Sequence, residues 1–356
     1  MSKAARFIYI LFAAVAVAAA AIMFVPGSGT WLLRTGEYIS SAAQRFGVSG
    51  FGGDSAQSEK WTRQLVAADT QIAGEWGETG IDGLKVYQYG KTLLGSNEER
   101  AIYDLIASSV RSSASSVEIK TSLEPAVMKK IYKYYTYDHV ENFNLGNSDM
   151  VFSYRDFGTK RVYDSYTIRF AYKYDKTKTA QMRTEIASAA AKLMARAAGA
   201  KSEQALELAL HDALVDVVGY ENRAIEDPKD YPDSFTVYGA LVKGSAVCDG
   251  YAKSLKLLLD SAGIKSLYVS GQAVNIEGAG AHAWNIVQIG GKWYYVDATF
   301  DDPVFVSSRG QYIKKNVIDH SFYNYTADDY HVPGVFNSAD PFASGSENYE
   351  TMPQIG

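Results

Sequence analysis

The sequence predicts an α+β fold, and three observations support that prediction. Residues 150–174 are rich in Tyr, Phe, Val, Ile and Thr and are bounded by turn residues, as the strands of a small sheet are. Two stripes of apolar residues at helical spacing follow, in 182–197 and 206–217. A third predicted helix begins near Cys248, and a predicted antiparallel hairpin covers 281–297. The chain therefore combines helices with antiparallel strands.

Length and charge bound the class of protein. The 356 residues suit two or three domains, and 35 Lys and Arg against 40 Asp and Glu give a net charge of −5. The sequence has no sustained basic run. We therefore expect no nucleic acid partner, since phosphate binding draws on a basic patch.

Metal and cofactor binding are not expected either. Five His and one Cys are too few for a Cys-rich zinc module. His211 lies off the apolar stripe of its predicted helix and is expected in solvent, while His320 and His331 lack the spacing of metal ligands. The sequence also has no glycine-rich loop of the kind that cradles phosphate. It predicts neither a metal nor a cofactor.

The N-terminal region predicts export. Residues 7–25 are uncharged and mostly apolar, and Lys3 and Arg6 precede them. As a helix they would measure about 28 Å, close to the roughly 30 Å of a bilayer's hydrocarbon layer. Because the basic flank comes first, we expect a single-pass protein of the cell membrane whose chain after Pro26 is extracytoplasmic. A cleaved signal peptide, which would give a secreted protein, is the alternative.

Composition divides the chain into five segments. Gly, Ser and Ala after the apolar run predict a flexible linker, and Ser, Gly and Pro near the end predict a disordered tail. Between them, capping-box spacing at Ser96 and Glu99 and a first-turn position for Pro125 predict two helices. The predicted segments are a signal or transmembrane segment (1–35), a linker (36–83), a small mixed α/β domain (84–175), a second folded domain (176–336) and the tail (337–356).

The single cysteine lies at the start of a predicted helix. Cys248 shares one helical face with four apolar residues, and the helix ends at Gly263. A thiol in the first turn feels the partial positive charge of the helix N-terminus, which lowers a cysteine pKa from about 8.5 into roughly the 3.5–7.5 range. We therefore interpret Cys248 as a reactive thiol rather than as inert packing.

The predicted hairpin over 281–297 brings a histidine and an aspartate together. Its two strands are joined by a two-residue Gly-Gly turn, which makes the numbers of paired residues sum to 581. Asp297 then lies opposite Trp284, and His282 is its diagonal neighbour on the same face of the sheet. A helix-start Cys packed against such a His and Asp is the nucleophile, base and orienter arrangement of thiol acyl transfer.

At this point the sequence resembles a known family. Val-Cys-Asp-Gly-Tyr-Ala at 247–252, His-Ala-Trp-Asn at 282–285 and Trp-Tyr-Tyr-Val-Asp-Ala-Thr at 293–299 are, in that order, similar to motifs of the transglutaminase-like superfamily. The family has the papain-like fold, and the flanking regions look like its exported or membrane-anchored bacterial members. The resemblance implies that segment 176–336 is a catalytic domain.

The resemblance also implies roles for individual residues. It makes Cys248 the nucleophile, His282 the general base and then acid, and Asp297 the group that holds the tautomer of His282. The backbone N–H of Cys248 is one candidate oxyanion donor, and the side chain of Tyr238 or Gln272 is a candidate for the second. On the His282 face, Trp284 is a candidate wall of an acyl-acceptor channel. The Trp that precedes the cysteine in the animal crosslinking enzymes has no counterpart between Trp76 and Trp284.

The implied activity is attack on an amide bond of a protein or peptide at the cell surface, through a thioester intermediate. Transfer of the acyl group to an amine would crosslink, and transfer to water would deamidate or cleave. Two alternatives stay open. One is a papain-like cell-wall peptidase acting on cell-wall peptide, and the other is a non-catalytic binding module of the cell surface or of cytokinesis.

Overall fold

The computed structural model describes residues 75–275 apart from 159, residues 278–302 and several short stretches. The short stretches are 21–25, 30–34, 304–306, 312–314, 318–326, 353 and 355. Most of the predicted linker and tail lie outside these residues, and so does His331.

The first half of the chain builds one larger sheet and the helices that cover it. In chain order its elements are β1 (Ala21–Val25), β2 (Thr30–Arg34), β3 (Trp76–Glu78), β4 (Lys85–Tyr87), α1 (Tyr89–Thr92), α2 (Asn97–Arg111), β5 (Ser116–Lys120), α3 (Pro125–Asp138), β6 (Leu145–Asp156) and β7 (Arg161–Tyr172). The five-stranded sheet has the order β1-β2-β6-β7-β5, and β3 pairs with β4. The Tyr-rich region that the sequence predicts as strands forms the long β6–β7 hairpin. Strand β3 falls within the described end of the predicted linker.

The start of the predicted membrane helix lies outside the described residues, and its last five residues form a strand. Residues 7–20 are not among the described residues. Ala21–Val25 form β1, which pairs antiparallel with β2. This corrects the sequence prediction for those five residues, because a short continuous apolar run fits a paired strand as well as a helix. Among the residues described, no helix has both the length and the apolar character needed to cross a bilayer.

Two predicted helix starts in this half are confirmed. Ser96 caps α2, its Oγ accepting a hydrogen bond from the backbone N–H of Glu99 at 3.1 Å. Pro125 is the first residue of α3, where its missing N–H leaves no helical hydrogen bond unmade.

The second half builds a three-stranded antiparallel sheet with one helix packed across it. Its elements are α4 (Lys176–Ala197), α5 (Glu203–Val217), β8 (Gly219–Tyr220), α6 (Arg223–Glu226), a 3₁₀ turn (Pro232–Phe235), a π-helical turn (Gly239–Lys243), β9 (Ser245–Ala246), α7 (Cys248–Ser261), β10 (Ser266–Asn275), β11 (Gly278–Ile289), β12 (Lys292–Val296), β13 (Val304–Val306) and β14 (Tyr312–Lys314). The sheet has the order β10-β11-β12, and α7 packs on β10 and β11. Helix and sheet together form the α+β core that the sequence predicts.

The hairpin register is confirmed. Asn285 pairs with Val296 and Ile289 with Lys292, which is the register of a two-residue loop. Gly290 and Gly291 both have positive φ, 57° and 82°, as this turn requires and as glycine allows. The register therefore holds His282 and Asp297 on the same side of the sheet.

A buried ion pair on α7 joins the two halves. Lys256 Nζ lies 2.6 Å from Asp260 Oδ2, and both side chains are fully buried. The ammonium also donates to the carbonyl of Tyr87 at 3.0 Å, and Asp260 accepts from the Tyr87 N–H at 2.8 Å. Further along, Tyr137 Oη lies 2.9 Å from Ser270 Oγ, linking α3 to β10. The apolar core is continuous across the predicted boundary at residue 175, which stays a prediction.

Candidate active site

Cys248 is the first residue of α7, and it is completely buried. The Val247 N–H donates to the carbonyl of Ser234 at 3.0 Å, which anchors the chain just before the helix. No side chain caps this helix start. Within the first turn the Gly250 N–H already donates to the Val247 carbonyl at 2.9 Å, so the candidate oxyanion donor beside the thiol is the backbone N–H of Cys248.

Gly250 allows the start of α7 to pack this closely. A Cβ at this position would lie 2.6 Å from the Ser234 carbonyl oxygen and 2.7 Å from the Ala246 Cβ. We expect Gly250→Ala to destabilise the fold by about 1–3 kcal/mol, because neither backbone nor helix start can give way without strain. Urea unfolding measures this.

The matched control is Gly199→Ala, where an added Cβ would meet no atom within 4 Å. We expect the control to keep the wild-type unfolding midpoint. Equal midpoints for both alanine variants would contradict the argument that Gly250 is needed for close packing.

Asn285 fixes α7 against the sheet below the thiol. Its buried amide donates to the Ala252 carbonyl of α7 at 2.9 Å and to the Leu267 carbonyl of β10 at 3.1 Å. Sequence reasoning assigned no role to this residue, although it ends the His-Ala-Trp-Asn motif. The cysteine helix and the histidine strand are thus joined by one side chain.

Asp297 and His282 are in direct contact. Asp297 Oδ2 lies 2.5 Å from His282 Nε2, and both groups are buried. The second carboxylate oxygen accepts from the backbone N–H groups of Thr299 and Phe300, at 3.1 and 3.2 Å. These two bonds fix the plane of the carboxylate and thereby the orientation of the imidazole.

The imidazole of His282 also contacts the thiol. Burial lowers the pKa of His282, but the charge of Asp297 and the hydrogen bonds that the imidazolium donates to Asp297 and to the Cys248 sulfur raise it to about 10. With Nε2 engaged by Asp297, Nδ1 is the nitrogen that faces the sulfur. At neutral pH a protonated His282 therefore lies beside the sulfur of Cys248.

Two aromatic rings flank the imidazole. Phe300 stacks on His282 with centroids 4.4 Å apart, and Trp284 lies at 6.0 Å with nearly parallel planes. Phe300 was missed in the sequence, although it follows directly on the Val-Asp-Ala-Thr motif. Trp284 is buried, and its role as a channel wall stays a prediction.

The structure describes the side chain of only one of the two predicted oxyanion donors, Tyr238 and Gln272. Tyr238 donates its hydroxyl to Glu185 Oε2 at 2.6 Å, so an oxyanion role would require it to give up that bond. The side chain of Gln272 lies outside what the structure describes. Tyr220, which the sequence did not indicate, lies near these groups: burial raises its pKa well above the usual value, and its interactions with Cys248 and Asp297 raise it further. Tyr220 ends β8, a two-residue strand too short to leave a sequence signal.

His211 is a correction to the sequence prediction. It is fully buried instead of solvated, because Tyr323 packs on its ring at 5.5 Å and covers it. Tyr323 belongs to the same segment as His320, which lies 108 residues after Asp212 in the chain. No local sequence pattern therefore indicates that this segment covers His211.

Part of the chain matches the model of a known family. Residues 189–298 match the family model of the transglutaminase-like superfamily, and this range includes Cys248, His282 and Asp297. Over residues 189–298 the chain is thus transglutaminase-like. Export and membrane anchoring are not part of that match. No curated protein sequence matches the chain.

Solved structures similar to this chain share little sequence with it. One is the crystal structure of a TGase, at 14% identity and TM-score 0.31, covering 62% of this chain and 56% of that one. A second is a candidate cysteine protease from Cytophaga hutchinsonii, at 13% identity and TM-score 0.28, covering 55% and 75%. A third is the periplasmic domain of TgpA from Pseudomonas aeruginosa, at 15% identity and TM-score 0.25, covering 44% and 73%. The chain thus spans just over half of the first of these proteins.

Proposed function

We propose that the protein is a cysteine-dependent acyltransferase or amidohydrolase that acts on amide bonds of proteins or peptides. The observation that supports this most is the position of His282, whose two ring nitrogens face Asp297 and Cys248. Cysteine, imidazole and carboxylate in this order match the roles of nucleophile, acid–base group and orienter.

The first half of the proposed reaction forms a thioester. The Cys248 thiolate attacks the amide carbonyl, and the backbone N–H of Cys248 stabilises the oxyanion. His282 gives its proton to the leaving amine or ammonia, and the C–N bond breaks. Asp297 holds the imidazole in place throughout, with Phe300 fixing the ring from one face.

The second half transfers the acyl group. His282, now neutral, takes a proton from an amine or from water, and that nucleophile attacks the thioester. The thiolate leaves, and His282 is again protonated. An amine acceptor gives a crosslinked product, whereas water gives deamidation or cleavage.

Identification of the products tests this proposal. The purified protein is incubated with a Gln-peptide, a Lys-peptide and peptidoglycan fragments, and products and enzyme adducts are analysed by mass spectrometry. We expect an acyl adduct on Cys248 and turnover of one substrate class, with both lost in Cys248→Ala. Equal turnover by wild type and Cys248→Ala would refute a thiol mechanism. Release of cell-wall peptide would favour the peptidase alternative.

Alkylation separates an enzyme from a binding module. A thiolate paired with an imidazolium reacts with iodoacetamide near pH 6, where a free cysteine is mostly protonated and slow. We expect His282→Ala to lose this reactivity at pH 6. A wild-type thiol that reacts no faster at pH 6 than the thiol of His282→Ala would favour a non-catalytic role.

The pH dependence of activity reports on His282. Because its pKa is raised to about 10, the protonated form persists up to that pH, and activity should fall as the pH rises through it. In Asp297→Asn the charge that raises the pKa is removed while burial still lowers it, so the upper limb of kcat/KM should move to lower pH. Asp164→Asn, an exposed carboxylate paired with Arg155, is the control and should keep the wild-type profile. An unchanged upper limb in Asp297→Asn would contradict this assignment.

We further propose that the protein acts outside the cytoplasm, at the cell membrane or as a secreted protein. This rests on the apolar sequence of residues 7–25 and its basic flank. The N-terminal mass of the protein recovered from membrane and medium tests it. An intact N-terminus in the cytoplasmic fraction alone would overturn it.

A further inference from the structure

A second cluster of ionisable side chains lies apart from the triad. His211 and Asp212 are consecutive on α5, and His320 comes from the segment 318–326 that covers this helix. Asp212 Oδ1 lies 2.9 Å from His211 Nδ1 and 2.8 Å from His320 Nε2. Each residue therefore presents one donor atom, and all three atoms lie within 4.8 Å of one another.

We propose that His211, Asp212 and His320 form a zinc site. Two imidazole nitrogens and one carboxylate oxygen are a donor set that suits Zn²⁺, which takes four ligands in a tetrahedron. With metal–ligand distances of about 2.1 Å, tetrahedral donor atoms lie about 3.4 Å apart. The present separations need only small shifts, within reach of rotations of Asp212 and His320.

The surroundings of His211 support a metal-binding role. Its other ring nitrogen, Nε2, lies 3.2 Å from Asp301 Oδ2, and both side chains are fully buried. Neither atom makes a well-aligned hydrogen bond. A carboxylate behind the distal nitrogen is the usual partner of a metal-bound histidine, because it fixes the ring and makes it a stronger ligand.

The third ligand is held in place without help from a metal. Tyr323 Oη donates to Glu207 Oε2 at 2.9 Å, and Asn324 Nδ2 donates to the same oxygen at 2.6 Å. Both residues belong to the segment that carries His320, and Glu207 lies one turn before His211 on α5. The segment is thus fastened to the helix with His320 beside Asp212.

The solvent exposure of the three residues indicates which group would supply the fourth zinc ligand. The side chains of Asp212 and His320 are 36% and 43% exposed, whereas His211 is buried. The open side of the cluster faces solvent, so water supplies the fourth position. An ion here would join segment 318–326 to α5.

The site also has a connection to the triad. Asp301 Oδ1 accepts from the Phe322 N–H at 2.9 Å, and the Phe322 carbonyl accepts from the Asp297 N–H at 2.9 Å. A clamp on the segment would therefore restrain the backbone on which the Asp297 carboxylate is mounted. The zinc proposal itself does not depend on the proposed activity.

Zinc titration of the full chain tests this inference. The Cys248→Ala background is used, because a thiol beside His282 is another place where Zn²⁺ can bind. After removal of metal by chelation, we expect isothermal titration with ZnCl₂ to show one equivalent bound. His320→Gln and Asp212→Asn in that background should each weaken binding by about tenfold or more.

Asp216→Asn is the matched control, since Asp216 lies one turn further on α5 and pairs with Arg196 instead. We expect it to bind zinc as its parent does. His320 is exposed enough for its replacement to leave the fold intact, which far-UV circular dichroism verifies. Absence of zinc binding in the parent, or equal binding by all variants, would overturn the site and leave a histidine flanked by two carboxylates. Tighter binding of Mn²⁺ or Ca²⁺ than of Zn²⁺ would overturn the choice of metal.

Discussion

Replacing Asp297 with alanine should lower kcat for an amide substrate by about 10⁴-fold. The carboxylate contacts His282 Nε2 at 2.5 Å and is itself fixed by two backbone N–H groups. Without it, burial would favour neutral His282, and the ring would lose the partner that sets its tautomer and orientation. Initial rates under saturating substrate measure the effect.

The control for this experiment is another carboxylate deletion. Asp164→Ala removes an exposed carboxylate on β7 that pairs with Arg155, and it should leave kcat within about twofold of wild type. Circular dichroism verifies that the Asp297→Ala protein is folded. If folded Asp297→Ala turned over substrate at the wild-type rate, Asp297 would have no part in orienting His282.

Replacing Asp260 with alanine should destabilise the fold by about 3–5 kcal/mol. The change strands the ammonium of Lys256, which is fully buried and 2.6 Å from the deleted carboxylate. It also removes the acceptor for the N–H groups of Tyr87 and Ser266. The free energy of unfolding from urea denaturation measures the loss.

A double replacement distinguishes a stranded charge from lost packing. Lys256→Met with Asp260→Leu removes both charges, and we expect it to recover most of the stability lost in Asp260→Ala, because two apolar side chains of similar size need no partner. Asp216→Ala, which breaks the half-exposed pair with Arg196, should cost about 0–1 kcal/mol. A double variant as unstable as Asp260→Ala would show that the hydrogen bonds to Tyr87 and Ser266, and not the charge, decide the result.

Most of the candidate site could be predicted from short stretches of sequence. The Gly-Gly turn set the register of β11 and β12, and this register alone placed His282 and Asp297 on one face. The apolar spacing after Cys248 likewise gave the helix and its inward side. These features depend on residues close in sequence, so the pattern was enough.

Features made by distant residues were not predictable in this way. In the sequence of α7, Lys256 is not distinguishable from a solvent-exposed lysine. Its burial is explained only by packing against β4, about 170 positions earlier. His211 is buried by Tyr323 in the same manner. For residues 21–25 the limit was a different one, since an apolar run satisfies a strand and a helix equally.

The complete burial of Cys248 limits how often its thiol can react, whatever the effect of His282 and Asp297 on its reactivity. Oxidants convert an accessible thiolate first to sulfenic acid and then irreversibly to higher acids, and the chain has no second cysteine to rescue it as a disulfide. A thiol with no exposed surface meets peroxide only while neighbouring residues move aside, and the same movement admits substrate. The frequency of this movement therefore sets an upper limit on both the turnover rate and the rate of oxidative inactivation. A protein whose thiol is exposed only while substrate binds would be inactivated more slowly than one whose thiol stays exposed.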